Sequence, residues 1–262
     1  MNVLSLFDGM SCGQVALERA GIKVDNYYAS EIDKYAIQIT QKNYPNTTQL
    51  GDVTKWREWE LPQIDLLIGG SPCQGFSFAG KQLNFDDPRS KLFFEFVGVF
   101  KTVRPKYFLL ENVKMKKESE RVITNLLGVP PVKINSALVS AQNRERLYWT
   151  NLLDIHQPEG KEVLLDHIIE DGYVDREKAY CIDANYWKGG NLKSYFEKKR
   201  RQLVFTNEEK TEYRKLTPIE CERLQTLPDN YTEGVSNTQR YKMIGNGWTV
   251  DVIAHILKGL KQ

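Results

Sequence analysis

Four short stretches of the 262-residue chain carry side chains able to do chemistry. Cys73 sits in "GGSPCQGFSFAGKQ" (69–82), just after Pro72 and at the end of an apolar run. A thiol there can be an exposed nucleophile or can pack as a small hydrophobe. Glu111, in "LLENV" (109–113), directly follows the apolar part of another run. A carboxyl at such a strand end is partly desolvated, which raises its proton affinity and lets it donate a proton; a helix-capping or ion-paired glutamate is the competing reading. Gln142, Arg144 and Arg146 alternate in "AQNRERLYW" (141–149), so in a strand they share one face. Two guanidiniums on one face suit a polar base edge or a phosphate, and equally a solvated strand. The fourth stretch is "LFDGMSCG" (6–13), a tight small-residue turn whose backbone N–H groups can approach a ligand closely. It lacks the G-x-G-x-x-G pattern, since only Gly9 and Gly13 are glycines. Glu31 follows about twenty residues on, where an acid can accept from ribose hydroxyls, and Asp52 offers a second acid. A turn beside two solvated acids explains the same residues.

The elements that must position these groups follow from periodicity. Residues 2–7, 24–30, 64–70 and 106–113 read as strands, and 14–21, 33–45 and 90–105 as helices between them. Such alternation predicts βαβ units and an α/β fold with a mostly parallel sheet flanked by helices. The strand ends then carry the candidate groups, as in folds that bind ligands at the carboxyl edge of the sheet. Beyond residue 150 the pattern changes, and "KGGNLKSYFEKKRRQLVF" (188–205) mixes glycines, aromatics and a basic run. Residues 1–150 are predicted to form the main domain and 151–210 a small, less regular second domain, with 211–262 returning to complete the first. In "LTPIECERLQTLP" Thr217 is a helix cap, Pro218 the first helical residue and Glu220 the third. A closing amphipathic helix spans 249–260.

The totals exclude several classes. A net charge of only +2 means that nucleic-acid affinity must come from local patches. The four cysteines (Cys12, Cys73, Cys181, Cys221) form no C-x-x-C pair, and His156, His167 and His255 are isolated, so no metal site is predicted. Neither a secretion signal nor an apolar stretch of about 18 residues is present, and a soluble, intracellular chain is expected.

Taken in order, "FDGMSCG", "GSPCQGFSFAGKQ", "ENV", "QNRER", "LTPIECERLQTLPDNY" and "GNGWTV" resemble the cytosine-5 DNA methyltransferases. The likeness covers most of the chain outside about 150–210. It implies a Rossmann-like domain that binds S-adenosylmethionine, releases S-adenosylhomocysteine and uses no metal, with a small target-recognition region. By the same resemblance Cys73 is the nucleophile for carbon 6 of a flipped cytosine. Glu111 binds the ring nitrogen and exocyclic amine, and Arg146, with Arg144 beside it, holds the base carbonyl. The cofactor is implied to lie against Phe7, Asp8, Gly9, Met10, Ser11 and Cys12. Glu31 takes the ribose and Ile32 the adenine face; Asp52 accepts from the adenine amine with Val53 beside it. Pro72, Leu92, Asn246 and Trp248 line the same pocket. Gln74, Ser77 and Lys81, together with the cluster Lys198, Lys199, Arg200 and Arg201, are implied to touch duplex DNA. Two departures stand out: most members have adjacent glycines where Ser11 and Cys12 stand, and a small aliphatic residue where Trp248 stands. The resemblance suggests a compact bacterial or phage-type enzyme, monomeric and cytoplasmic. A tRNA-modifying branch and a non-catalytic DNA-binding relative remain the alternatives.

Overall fold

The computed structural model describes residues 1–71 and 88–261. Along the chain run β1 (Asn2–Leu6), α1 (Cys12–Arg19), β2 (Asn26–Ser30), α2 (Lys34–Asn43), β3 (Thr48–Gln49), β4 (Leu66–Gly69), α3 (Pro88–Val103), β5 (Tyr107–Val113), α4 (Lys117–Leu127), β6 (Val132–Asn135) and β7 (Glu145–Thr150). After these come α5 (Leu192–Lys198), β8 (Leu203–Phe205), β9 (Tyr213–Lys215), α6 (Pro218–Leu224), α7 (Asn237–Asn246) and α8 (Val250–Leu257). Seven strands form one sheet in the order β3-β2-β1-β4-β5-β7-β6. β1 pairs parallel with β2 and β4, β4 parallel with β5, and β7 runs antiparallel to both β5 and β6. The predicted α/β architecture is the observed one.

Strands covered on both faces need apolar residues at consecutive positions. Val3, Leu66, Ile68 and Leu109 belong to a cluster on one face with α1 and α8. Leu4, Leu67, Phe108 and Leu110, their neighbours in sequence, belong to a cluster on the other with Phe93 and Phe96 of α3 and Ile123 of α4. Alternation along each strand therefore divides the side chains between two cores. The first cluster also takes in Leu165, Ile168, Ile182, Tyr186 and Val204, so residues 151–210 share a core with the rest of the chain. Only Tyr195, Leu203 and Phe205 form a separate small cluster there.

Tyr186 anchors this region. Its hydroxyl donates to Gln202 O and accepts from Leu216 N (2.9 Å), so the chain leaves this side chain, makes the β8–β9 pair and returns to it. α6 starts as predicted: Thr217 and Glu220 form a capping box with Pro218 in the first turn. Going from β1 to β2 and from β1 to β4 the chain moves in opposite directions across the sheet, which opens a crevice at the carboxyl ends of β1 and β4.

Candidate active site

A cavity of about 630 Å³ opens at that crevice, and a volume of this size suits a ligand of roughly drug or nucleoside size. One side is built by the turn after β1. Phe7, Gly9 and Ser11 all have positive φ (58°, 59° and 60°), a region only glycine enters without cost. For Phe7 and Ser11 the cost is about 1–2 kcal/mol each, so the surroundings must hold them there. Ser11 Oγ donates to Asp8 and accepts from Thr40 Oγ1 (3.1 Å). Asp8 in turn accepts from Tyr27 Oη (2.7 Å). Where a glycine would fit by itself, a serine is held by this hydrogen-bonded group. Burial pushes the Asp8 carboxyl up to about 6, against the pull of the hydroxyls that donate to it. Burial also pushes the Cys12 thiol up to about 12, which keeps it protonated and inert.

The acids predicted for this side line the cavity. Glu31, just past β2, accepts from Gly9 N (2.7 Å) through one oxygen and from Ile32 N and Asp33 N (2.8 Å each) through the other. A carboxylate has about four acceptor positions, so one of Glu31's is left for a ligand. Asp52 caps the 3-10 turn that begins at Val53, accepting from Thr54 N (2.9 Å) through one oxygen. Met10, Val53, Leu92, Asn246 and Trp248 border the same space, and Ile32 is 74% exposed at its mouth.

The other side is built from β5 and β7. Glu111 Oε1 lies 3.0 Å from Arg146 Nε, and its Oε2 accepts from Trp248 Nε1 (3.2 Å). The ion-paired reading of Glu111 is thus the one the geometry shows, and the carboxylate still lines the cavity. Burial works against the Arg146 charge, but the facing Glu111 carboxylate helps carry its pKa above the ordinary arginine value. Next to Glu111, Asn112 Nδ2 donates to Ser71 Oγ (3.2 Å), tying the end of β5 to the segment beyond β4.

Gln142 and Arg144 differ from the sequence expectation. The strand starts only at Glu145, and both residues precede it. Gln142 is fully buried and donates to Leu224 O (2.7 Å). Arg144 donates to Ile182 O (2.9 Å), Gly245 O (3.2 Å) and Gly247 O (2.8 Å), and reaches Cys181 Sγ (3.3 Å). Its guanidinium fastens two distant backbone stretches, at Ile182 and at Gly245 to Gly247, to the start of β7, and burial lowers its pKa. Cavity-lining residues that the sequence did not single out include Asp33, Cys181, Asp183 and Lys242. Lys242 Nζ bonds Asp33 Oδ2 (2.7 Å), joining α7 to the start of α2. No spacing pattern marks these residues, because they meet only through the fold.

In the basic run, Lys198, Lys199 and Arg200 are exposed. Arg200 lies 3.6 Å from Asp183, at the cavity's border, whereas Arg201 is half-buried and donates to Gly189 O (2.7 Å). Pro72, Cys73, Gln74, Ser77 and Lys81 lie outside the described residues. Cys12, Cys181 and Cys221 are free thiols. Among the described residues no cluster of three His, Cys, Asp or Glu side chains could hold a metal, and no helix is long and apolar enough to cross a membrane.

A mostly parallel sheet with β7 reversed, and a ligand-sized cavity over its carboxyl edge, define a Rossmann-like α/β fold built to bind a ligand at that edge. The family model for the C-5 cytosine-specific DNA methylases matches residues 1–152 and 116–262, and the chain belongs to that family. The type II methyltransferase M.NlaX of Neisseria lactamica is 31% identical, over 99% of this chain and 96% of its own length. M1.ScrFI of Lactococcus lactis subsp. cremoris is 33% identical, over 96% of this chain and 75% of its own. Among solved structures, the Dnmt2 methyltransferase of S. pombe shares the fold with a TM-score of 0.73 at 19% identity, covering 100% of both chains. A putative DNA modification methyltransferase from an E. coli prophage does so with a TM-score of 0.70 at 23% identity, covering 100% of this chain and 98% of its own.

Proposed function

We propose that this DNA (cytosine-5-)-methyltransferase acts on a cytosine flipped out of duplex DNA, with S-adenosylmethionine as the methyl donor. One observation carries the reading: a single cavity is bordered by Glu31 and Asp52 on one side and by Glu111 and Arg146 on the other. A donor and a base could therefore meet inside it. The residues present fit the cofactor, for the volume is adequate and Glu31 keeps one acceptor position for a ribose hydroxyl. Asp52 would accept from the adenine amine while Phe7, Ile32, Val53 and Leu92 cover the ring. The turn from Asp8 to Cys12, with Asn246 and Trp248, would border the amino-acid end. When bound, S-adenosylmethionine supplies an electrophilic methyl group.

The protein's own part is to make carbon 5 nucleophilic. The Cys73 thiolate adds to carbon 6, and the displaced electron pair gives carbon 5 enamine character. Once carbon 5 carries the methyl group, its proton passes to water, the electron pair restores the 5,6 double bond, and the carbon 6–sulfur bond breaks to release the thiolate. Glu111 binds the ring nitrogen and exocyclic amine as charge shifts on addition. Arg146, already paired to Glu111, reaches the base carbonyl, while Arg144 holds the wall behind them. Drawing the base from the stack costs about a few kcal/mol. Lys198, Lys199 and Arg200 would offset this with phosphate contacts, joined by Gln74, Ser77 and Lys81. Such work belongs in the cytoplasm of a bacterial or phage-infected cell.

The test is incubation of the wild type and Cys73→Ser with labelled S-adenosylmethionine and either duplex DNA or tRNA. Label should enter DNA with the wild type alone. Equal labelling by Cys73→Ser overturns the nucleophile, faster labelling of tRNA overturns the substrate, and duplex binding without transfer by the wild type points to a non-catalytic relative. Bisulfite sequencing of the product then reads the target sequence.

A further inference from the structure

We infer that Trp248 is a positioning residue for Glu111, beyond any part it has as a wall of the cofactor pocket. The inference rests on the proposed role of Glu111 at the base. Three groups converge at the end of β4. The Trp248 indole N–H bonds Glu111 Oε2 at 3.2 Å. A Cβ added to Gly70 would lie 2.9 Å from Trp248 Nε1 and 3.1 Å from Glu111 Oε2, so the carboxylate and indole close together over a position where any larger residue would push one of them aside.

The backbone on both sides of Trp248 is tied down. Gly247 O accepts from Arg144 Nη2 (2.8 Å) and Gln225 Nε2 (3.1 Å). Thr249 Oγ1 donates to Gln225 Oε1 (2.9 Å) and accepts from Ser136 Oγ (2.8 Å). The indole is thereby delivered to Glu111 from a rigid support. Arg146 fixes one carboxylate oxygen and Trp248 the other, from separate segments of the chain. The last torsion of a glutamate is broad, and a carboxylate held at one oxygen alone can turn about it. With a donor at each oxygen the carboxylate plane is set, and the remaining acceptor positions of both oxygens stay directed at the cavity. Arg144 joins the arrangement indirectly, because the carbonyl it holds at Gly247 immediately precedes the indole.

Trp248→Phe keeps an aromatic ring and removes the donor. We expect kcat on duplex DNA at saturating S-adenosylmethionine to fall about tenfold or more, with KM for DNA within about twofold. Calorimetric titration with S-adenosylmethionine alone should give a dissociation constant within about threefold of wild type. Gly70→Ala keeps the indole N–H but drives a methyl against both the indole and the carboxylate, so that they must part, and should show the same loss of kcat. Weaker cofactor binding with kcat retained at saturation makes Trp248 a pocket wall only and overturns the inference; an unchanged kcat does so too. Glu111→Gln separates the two levels. If it retains wild-type kcat, the role of Glu111 falls and the inference with it. If it loses about a hundredfold or more while Trp248→Phe does not, only the inference falls.

Discussion

Glu222 and Glu111 each face one arginine at 3.0 Å, yet the rest of their surroundings have little in common. Glu222, in α6, is fully buried and accepts from Asn230 N (2.7 Å), Thr232 N (2.8 Å), the Thr232 hydroxyl and Arg240 Nη2. Four protein donors surround it, three of them at Oε1, and it fastens the loop after α6 to α7. Glu111 has one donor on each oxygen and borders a cavity. The same ion pair is a structural tie where four protein donors surround the carboxylate and a candidate chemical group where only two do and a cavity meets the rest. Charge does not separate the two; the number of protein donors and the open cavity do.

Breaking the structural side of the comparison should have the largest effect. Glu222→Ala leaves the Arg240 charge buried without its partner and is expected to cost about 3–5 kcal/mol of stability by denaturant unfolding. Glu111→Gln should do the reverse. It should lower kcat by about 10²–10³-fold, or about 3–4 kcal/mol in the barrier, with little change in the unfolding midpoint. A result in which both variants chiefly lose stability would erase the distinction.

Asp8 supplies a third, intermediate case: a buried carboxyl with hydroxyl donors and no arginine. Burial raises its folded-state pKa from 3.8 to about 6, so the folded state holds this proton more tightly than the unfolded chain. Its contribution to stability is full below about pH 4 and is lost as the pH rises to about 6. Asp8→Asn should remove that decline, which is on the order of 2–3 kcal/mol, from stability measured across the window. The smallest effect concerns the start of α6. Thr217→Ala removes the side chain that accepts from Glu220 N and should cost about 1 kcal/mol in the unfolding free energy.

The first half of the fold is legible because β1, β4 and β5 are covered on both faces and read as apolar runs, β2 carries β-prone tyrosines, and helices of recognisable period lie between most of them. α4 and α7 escaped notice for a physical reason. In α7, Arg240 is buried alongside Tyr241 and Met243, so its inner face carries a charge that no apolar pattern announces. The candidate site was legible where a candidate residue follows an apolar or tyrosine-rich stretch of strand, as with Glu31 just past β2 and Glu111 within the last part of β5. It was not legible where residues meet across the chain. Alternation placed Arg144 and Arg146 together, but only the fold shows Arg144 spent on backbone carbonyls and Arg146 turned to Glu111. Arg201 likewise left the basic run to hold Gly189 O.

The pinning of the chain at Tyr186 bears on how much length the chain can carry here. The excursion from Trp187 to Lys215 begins and ends at one hydroxyl, which receives Leu216 N, while Tyr241 Oη donates to Leu216 O (2.7 Å). Lengthening a loop whose ends are already held costs only loop-closure entropy, which grows slowly with length. Extra length in the exposed part of this excursion, away from the buried residues Gln202 to Phe205, should therefore leave Glu111, Arg146 and the turn after β1 in register. One tyrosine hydroxyl is the clasp that closes the loop.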